Sequence, residues 1–375
     1  MTQQLTAPKL DQTGRLYSLD ALRGFDMFWI MGAEEIVKTL ADATGSPFWT
    51  GFANQLTHPA WNGFHFYDLI FPLFLFLAGV ATPFSVGRDL EKGKSRQQLL
   101  GRVIRRGLIL VVLGVIYNNG LSIKPLAEIR FGSVLGRIGL AYMFANIIFL
   151  YTKERTQLIW FCALLIGYWL LLRFNSAPGF PAGDLTMQGN FASYIDRNVI
   201  PGRLYLGIHD PEGLTSTIPA IGTGLLGIMT GNFLKNSPAS QIRKVLTLAI
   251  TGAVFLGLAQ LWNLSFPINK NLWTSSFVLQ VGGWSLLFFA LFYYIIDVKG
   301  YKKWAFFFKV IGMNSILIYM SERFIHWEYT SDAMFKWLGQ LIGSPYNLVI
   351  MAICFVMVKW GFLYFMYLKK VFLRV

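Results

Sequence analysis

Residues 57–79 read THPAWNGFHFYDLIFPLFLFLAG, and this stretch indicates a membrane span with a polar site at its mouth. From Asp68 onward the stretch is almost wholly apolar. Its first half holds His58, one of only 4 histidines in the chain. Histidine changes charge near neutral pH and serves as a general base or acyl carrier. His58 is therefore a candidate catalytic residue.

The composition places the rest of the chain in a membrane as well. Hydrophobic residues make up 54% and aromatic residues 16% of 375 residues, which is more than a water-soluble chain normally carries. Apolar windows long enough to cross roughly 30 Å of hydrocarbon recur along the sequence. We predict an all-α, polytopic membrane protein with about ten transmembrane helices. The predicted spans are residues 19–38, 66–87, 103–118, 134–151, 158–172, 215–231, 245–263, 273–296, 305–320 and 346–368.

The distribution of Lys and Arg predicts the orientation. Basic residues cluster after the second and the eighth predicted spans, and the positive-inside rule places such segments in the cytoplasm. Both termini are then cytoplasmic: residues 1–18 form an N-terminal tail, residues 19–375 form one transmembrane domain, and 173–214 is the longest outward segment. This topology and contact with anionic membrane lipid account for the net charge of +14, so no nucleic-acid partner is expected. The clusters are Arg88, Lys92, Lys94, Arg96, Arg102, Arg105 and Arg106, and Lys299, Lys302, Lys303 and Lys309.

Four polar residues follow one another before the second span: His58, Asn62, His65 and Asp68. Spacings of three bring the last three of these together if the segment is helical. Two histidines and a carboxylate are acceptable zinc ligands, which makes a zinc site a competing interpretation. Pro59 interrupts the helical geometry that His58 would need, and no cysteine supports such a site, so we predict no metal. An interfacial residue with no catalytic role is the other alternative for His58.

Ionisable residues inside the predicted spans are costly and are functional candidates for that reason. Asp20, Arg23 and Asp26 are three residues apart on the first span, where they can neutralise one another or fix the start of the helix. Glu34 lies two turns beyond Asp26 on the same face and close to the outer surface. It is a candidate for orienting or charging His58. An ordinary solvated helix end is the alternative for Glu34.

The long outward segment ends in DPEGLTSTIPA, Asp210–Ala220, where a polar stretch runs into a small-residue helix. Loops of this length usually carry function. Thr215, Ser216 and Thr217 can cap the helix, and its free N–H groups favour an anion or a polarised carbonyl. Ordinary helix capping explains the same residues.

Six segments, spread in order over nearly the whole chain, resemble the heparan-α-glucosaminide N-acetyltransferase family, a group of polytopic lysosomal enzymes with bacterial relatives. The resemblance implies transfer of an acetyl group from cytosolic acetyl-CoA to an amino sugar on the far side of the membrane. It also implies a bacterial inner-membrane protein and a homodimer. The segments are SLDALRGFDMFWI, HPAWNGFHFYDLIFPLFLFLAG, LGRIGLAY, DPEGLTSTIPA, NKNLWTSSFVLQVGG and VIGMNSILIYM.

The resemblance also implies site residues. The family's active-site histidine precedes a Trp-Asn-Gly step, which matches His58. The family's Asp-Leu-hydrophobic-Phe-Pro element matches Asp68–Pro72, its Asp-Pro-Glu-Gly element matches Asp210–Gly213, and an Asn of the animal enzymes is replaced here by Glu34. We predict His58 as base or acetyl carrier, assisted by Glu34 or Asp68. For the acceptor we predict Asn62, Asp26, Asp210, Glu212, Asn271 and Asn314, and for acetyl-CoA we predict Arg23, Arg106 and Arg137.

Two other classes of function fit some of the same features. An amino-sugar or sugar transporter would use the polar intramembrane residues to line a path, but the two halves of the chain show no convincing internal repeat. A non-catalytic partner or scaffold predicts that substitution of His58 has no effect. Within the enzyme class, the sequence leaves open the acceptor, the acyl group, and whether acetyl passes directly or through His58.

Overall fold

The computed structural model describes residues 16–373, and this part of the chain folds into α-helices with no β-strand. Its helices are α1 (Tyr17–Phe28), α2 (Glu34–Thr44), α3 (Pro47–Gln55), α4 (Ile70–Thr82), α5 (Arg88–Glu91), α6 (Arg96–Asn119), α7 (Val134–Tyr151), α8 (Glu154–Phe174), α9 (Phe191–Val199), α10 (Thr217–Asn236), α11 (Gln241–Asn263), α12 (Ser275–Phe292), α13 (Phe306–Met313), α14 (Ser315–Phe324), α15 (Trp327–Ile342) and α16 (Asn347–Leu368).

Seven helical segments are long and apolar enough to cross a membrane among the described residues. Each coincides with a predicted span, which confirms a membrane protein; the count of ten and the cytoplasmic termini stay predictions. The segments are Phe66–Glu91, Val134–Tyr151, Glu154–Phe174, Thr217–Asn236, Gln241–Asn263, Ser275–Val298 and Asn347–Leu368.

The three other predicted spans differ from simple apolar helices. Residues 19–38 form α1 and α2, which are joined by a π-helical turn at Trp29–Ala33 where Gly32 has φ 119°. Residues 103–118 lie in α6, which carries four arginines in its first half. Residues 305–320 are divided at Asn314 into α13 and α14. The first and last of these are broken helices rather than continuous spans.

Apart from α5, which continues the segment Phe66–Glu91, three helices lie outside the predicted spans: α3, α9 and α15. Helices α3 and α9 have only 9 residues each, so neither gives an apolar window of the length that indicates a span. Helix α9 lies inside the predicted outward segment 173–214. Helix α15 carries charged residues among its apolar ones, and its exposed face holds Tyr329, Met334, Trp337 and Leu341.

Helices α4 and α10 form the centre of the bundle. In each of the segments Phe66–Glu91 and Thr217–Asn236, 78% of the most apolar window is buried inside the protein, compared with 17% for α11. Helix α11 instead exposes Leu246, Ile250, Val254 and Leu258. An apolar surface of this kind suits a lipid environment, whereas the buried faces of α4 and α10 pack against protein.

Close contact between α4 and α10 depends on glycine, and this gives a test of the packing. A Cβ atom added to Gly79 would lie 2.3 Å from the carbonyl oxygen of Gly224, and one added to Gly227 would lie 2.1 Å from that of Phe76. Backbone atoms cannot move aside as flexible side chains do. We expect Gly79→Ala to lower the free energy of unfolding by at least about 1–3 kcal/mol, measured by denaturant titration in mixed micelles.

The matched control for that variant is Gly167→Ala in α8, where an added Cβ meets nothing within 4 Å. Alanine in a helix interior is favoured over glycine by roughly 0.5–1 kcal/mol, so this variant should be neutral or slightly more stable. Equal destabilisation by the two substitutions would contradict the tight α4–α10 contact.

Candidate functional site

Two cavities lie one behind the other along the same four helices. The His58 cavity, of about 390 Å³, holds His58, Asp68, Glu212, Lys270 and Asn271 among its lining residues. The Arg106 cavity, of about 260 Å³, is lined by Arg23, Arg106 and Tyr142 among others. Helices α4, α6, α7 and α14 contribute Phe71, Asn118, Val134 and Tyr319 to the first cavity, and Phe74, Arg106, Ile138 and Ile316 to the second.

The linings of the two cavities are closest on α4, α7 and α14. On α7, Val134 and Ile138 are four residues apart, and on α14 Ile316 and Tyr319 are three apart. Residues at these spacings share one helix face, with Cβ atoms roughly 5–6 Å apart. The cavities are therefore separated by about one helical turn of side chains on these faces.

His58 and Asp68 form the centre of the His58 cavity. The ring Nδ1 of His58 lies 2.7 Å from Oδ1 of Asp68, whose side chain is fully buried. Oδ2 of Asp68 accepts a hydrogen bond from the backbone N–H of His65 at 2.9 Å, which fixes the carboxylate at the start of the helical segment. A carboxylate that accepts the Nδ1 proton leaves Nε2 as the basic atom of a neutral imidazole. This is the arrangement that a general base requires.

Lys270 reaches the same place from the connection between α11 and α12. Its Nζ lies 3.0 Å from Nε2 and 3.2 Å from Nδ1 of His58, and 3.5 Å from Oδ1 of Asp68. Burial lowers the pKa of Lys270, and the negative charges of Asp68 and Glu212 act in the opposite direction. Lys270 was not predicted as a site residue; its place in the segment NKNLWTSSFVLQVGG was the available signal.

Hydrogen bonds between two connections hold Lys270 next to His58. The backbone N–H of Gly63 donates to the carbonyl of Ile268 at 2.8 Å, and the side-chain amide of Asn269 donates to Oδ1 of Asn62 at 3.0 Å. Asn269 is fully buried and also accepts from the backbone N–H of Leu272. Asn62, predicted to bind acceptor, therefore joins the loop of His58 to the loop of Lys270.

An ion-pair network forms another part of the wall of the His58 cavity. The guanidinium of Arg130 donates to both carboxylate oxygens of Asp210, at 2.9 and 2.8 Å, and to Glu212 at 2.5 Å. Burial alone would raise the pKa of Asp210, but the hydrogen bonds and charge of Arg130 hold it below its ordinary value. Glu212 faces the cavity, whereas Asp210 lies behind it and also accepts from the backbone N–H of Tyr205. Arg130 was not predicted as a site residue.

His209, next to this network, makes stability sensitive to pH. It is 2% exposed, its Nδ1 lies 2.7 Å from Oγ of Ser193, and its ring packs against that of Trp61. Burial, which disfavours the imidazolium, lowers its pKa from 6.5 to about 4. Between these pH values the unfolded chain binds a proton that the folded chain does not bind. The free energy of unfolding is expected to fall by up to about 3 kcal/mol as the pH is lowered from 6.5 to 4.

Thermal unfolding of wild type and of His209→Gln, followed at pH 7 and pH 4.5, measures this contribution. The Gln variant lacks the titrating group, so it should lose less stability than wild type over the same interval. An identical loss in both proteins would show that other groups cause the acid sensitivity.

The Arg106 cavity is the more basic of the two. Arg106 donates from Nη1 to the hydroxyl of Tyr142 at 3.3 Å and lies over the same ring. Arg23 contacts Asp20 at 3.3 Å, one turn earlier in α1, and faces the ring of Phe74. Two of the three arginines predicted for the donor are thus brought together on one cavity.

Comparison with known sequences agrees with this architecture. A sequence model described as "Heparan-alpha-glucosaminide N-acetyltransferase, catalytic" matches residues 15–267. The chain belongs to this family of transmembrane N-acetyltransferases. The match includes His58, Asp68, Arg106, Arg130 and Asp210; Lys270 follows it in the sequence.

Two curated relatives extend the similarity beyond that range. The chain is 29% identical over 378 residues to the heparan-alpha-glucosaminide N-acetyltransferase of Homo sapiens, covering 86% of this chain and 54% of the relative. It is 29% identical over 364 residues to that of Mus musculus, covering 82% and 54%. The chain therefore spans about half the length of the curated relatives that it matches.

Some residues predicted from the family resemblance lie outside the two cavities. Glu34 is at the first turn of α2; its charge acts on Tyr67 and Lys359, and it does not line the His58 cavity. Asp26 is buried within α1 and lines neither cavity. Arg137 is buried over the ring of Trp273 and donates to the carbonyl of Gly213 at 3.1 Å. The structure thus separates Arg137 from Arg23 and Arg106.

Asn314 is also placed differently from its expected position beside the acceptor. Its amide Nδ2 donates to the carbonyl of Val371 at 2.9 Å, and its Oδ1 accepts from the backbone N–H of Leu373 at 3.0 Å. Leu373 lines the Arg106 cavity. Because α14 begins directly after Asn314, the break in the predicted span turns this side chain toward the C-terminal segment instead of the His58 cavity.

The alternative of a zinc site finds no support in the geometry. Within residues 16–373, no group of three His, Cys, Asp or Glu side chains is arranged to hold a metal ion. His65 directs its Nδ1 to the carbonyl of Thr57 at 3.0 Å, so it does not share a centre with His58.

Proposed function

We propose that the protein transfers an acetyl group from acetyl-CoA, bound at the Arg106 cavity, to the amine of a glucosamine-type amino sugar, bound at the His58 cavity. Membership in the N-acetyltransferase family supports the reaction. The observation that carries the proposal of transfer from one side of the membrane to the other is the alignment of both cavities along α4, α6, α7 and α14. The acetyl end of the donor then has to cross only the short apolar layer of side chains between the two cavities.

The chemistry of the donor matches the Arg106 cavity. CoA carries several phosphate charges, and guanidinium groups bind phosphate through charge-assisted, often bidentate hydrogen bonds. Arg23 and Arg106 supply two such groups from two helices, α1 and α6, that line the same cavity. The basic segment 88–106 leads into the same end of α6, where the positive-inside rule predicts the cytoplasm. Acetyl-CoA is a substrate of the reaction, and the proposal includes no metal.

The chemistry of the acceptor matches the His58 cavity. An amino-sugar nitrogen is protonated near neutral pH and must lose a proton before it attacks a thioester. Nε2 of His58, with Nδ1 directed to Asp68, accepts that proton. The nitrogen forms the amide bond to the acetyl carbon and the carbon–sulfur bond breaks. Of the two protons that the ammonium gives up, one neutralises the CoA thiolate and the other leaves through His58 to water on the acceptor side. Glu212, Asn271 and the ring of Trp61 line the cavity and offer polar and aromatic contacts to a sugar.

A second route uses His58 as an acetyl carrier. Nε2 then attacks the thioester, CoA leaves, and the acceptor amine attacks acetyl-imidazole. Asp68 serves both routes, because it orients the ring and stabilises the imidazolium. In either route Asp68 rather than Glu34 is the carboxylate in contact with His58. Asp210 acts through Arg130, by fixing the position of Glu212.

The cellular setting belongs to the same proposal. Both termini lie in the cytoplasm, ten spans cross a bacterial inner membrane, and a homodimer is the predicted assembly. The exposed apolar faces of α8, α11 and α16 support contact with membrane lipid.

The proposal is tested with protein reconstituted into liposomes that contain glucosamine. Isotopically labelled acetyl-CoA is added outside, and labelled N-acetylglucosamine is measured in the lumen after external sugar is removed. We expect luminal product that requires both protein and acetyl-CoA. Product formed only in detergent, with both substrates on the same side, would refute transfer across the membrane. Uptake of glucosamine into empty liposomes without acetyl-CoA would instead indicate a transporter.

A further inference from the structure

We propose that Lys270 occupies the acceptor position of the empty His58 cavity and is acetylated by the protein's own donor when no amino sugar displaces it. This inference rests on the proposed function, since it uses the same donor and the same base. It assigns Lys270 as a site of self-modification whose substrate is an acyl thioester.

The position of the Lys270 amine is the basis of the inference. An acceptor nitrogen must lie within hydrogen-bond reach of the base, roughly 2.6–3.2 Å. Nζ of Lys270 lies 3.0 Å from Nε2 of His58, within this range, and 3.2 Å from Nδ1, so it stands over the ring and aligns with the Nε2 lone pair after a rotation of the flexible lysine side chain. Nδ1 of the same ring is 2.7 Å from Asp68, so Nε2 is the atom that would take a proton from an amine. A primary amine therefore already occupies the place that the sugar amine has to take.

The side-chain amine of Lys270 can move away from His58 while the backbone of Lys270 stays in place. Its backbone lies between Asn269 and Asn271, and Asn269 is fixed by hydrogen bonds to Asn62 and Leu272. The side chain beyond that backbone is a flexible four-carbon stem, 19% exposed toward the cavity. An incoming sugar ammonium competes for the same partners, His58 and Asp68. Displacement thus needs only a rotation of the side chain.

The protonation state favours reactivity in the empty cavity. Burial lowers the pKa of Lys270, with the charges of Asp68 and Glu212 opposing this effect. A larger fraction of this side chain is therefore a neutral amine than for a lysine in water. Proton transfer to His58 increases that fraction further at the moment of reaction.

The modification is a balanced acyl transfer. The lone pair of neutral Nζ attacks the thioester carbon, an amide C–N bond forms, and the C–S bond breaks. The proton lost by Nζ passes to His58 and then to the CoA thiolate. The products are N-acetyl-lysine and CoA thiol. If His58 carries the acetyl group first, the same amide forms and the imidazole is released instead of the thiolate.

Acetylation would close the site. The amide has no charge to pair with Asp68, and it adds bulk to a cavity of about 390 Å³. Donor turnover without acceptor would stop after a stoichiometric release of CoA. Bound amino sugar protects the site, because it displaces Lys270 from His58.

The test uses wild-type protein in lipid nanodiscs with isotopically labelled acetyl-CoA and no acceptor, followed by peptide mass spectrometry. Label on Lys270 is expected to exceed label on the exposed Lys336 by at least about tenfold, since Lys336 reports uncatalysed acetylation. Saturating glucosamine should reduce the label on Lys270 but not on Lys336. The variant His58→Gln should show Lys270 labelled no more than Lys336. The variant Lys270→Arg should lose the hydroxylamine-resistant label, which distinguishes a lysine amide from the labile acetyl-imidazole of the carrier route.

The outcomes separate this inference from the proposed function. Protein that acetylates glucosamine while Lys270 stays unlabelled overturns the inference and leaves the function intact. Equal label on Lys270 and Lys336, or label that persists in His58→Gln, also overturns it. Protein that modifies neither glucosamine nor Lys270 overturns both.

Discussion

The variant His58→Gln is expected to lose acetyl transfer to glucosamine by about 10²- to 10⁴-fold, because its amide has no basic nitrogen to accept the amine proton. Glutamine keeps a polar side chain of similar reach, so it can still contact Asp68. Binding of CoA should be unchanged, since His58 is not among the side chains that line the Arg106 cavity. Transfer is measured with labelled acetyl-CoA in lipid, and donor binding by calorimetric titration with CoA.

The matched control is His65→Gln. His65 lies in the same connection, but its ring contacts the carbonyl of Thr57 and does not line the His58 cavity. Its backbone N–H, which binds Asp68, is unaffected by the substitution. We expect transfer close to that of wild type. Full activity of His58→Gln would leave Asp68 without a catalytic partner and would exclude both proposed routes.

The variant Arg130→Met is expected to lower the free energy of unfolding by about 3–5 kcal/mol, because it leaves two carboxylates without their cation. Asp210 is fully buried and the Arg130 side chain is 13% exposed, so water cannot replace the lost ion pair. Glu212 loses its contact with Arg130 as well, so transfer activity should fall together with stability. Denaturant titration in micelles, with activity measured below the transition, gives both quantities.

Two companion variants show whether the buried charge is the cause. Arg203→Met removes an exposed guanidinium from the segment that pairs with the backbone of Arg130, and is expected to change stability by no more than about 0.5 kcal/mol. Adding Asp210→Asn to Arg130→Met removes one of the orphaned charges and should recover part of the loss. Additive losses in the double variant would mean that the two residues do not act as a pair.

Hydropathy predicted the continuous apolar helices well. Helix α7 occupies Val134–Tyr151, the same range as the predicted span, since its boundaries coincide with polar residues. The broken helices depend on distant partners that no local pattern shows. At the π-helical turn, Nζ of Lys359 donates to the carbonyl of Met31 at 2.9 Å, and this bond comes from a residue far along the chain. The kink at Gly32 could not be predicted without that contact.

The candidate site was predictable where its parts are close in sequence. His58 and Asp68 are ten residues apart, and the structure brings them into direct contact. Lys270 is 212 residues from His58, so only the fold shows that both serve one cavity. Glu34 is the opposite case: a shared helix face suggested contact with His58, whereas the structure bends the chain at Gly32 before Glu34, and the catalytic role of Glu34 stays a prediction.

The short separation between the two cavities also has an electrical consequence. If each cavity is filled with water from its own side, the membrane potential falls mainly across the layer of side chains between them. Moving one elementary charge through that layer would cost or release about 2.3 kcal/mol per 100 mV, whereas a neutral acetyl group crosses without electrical work. In the proposed function the phosphates of the donor stay on the side of Arg23 and Arg106. Acetyl transfer between the two cavities, as proposed, is therefore insensitive to the membrane potential.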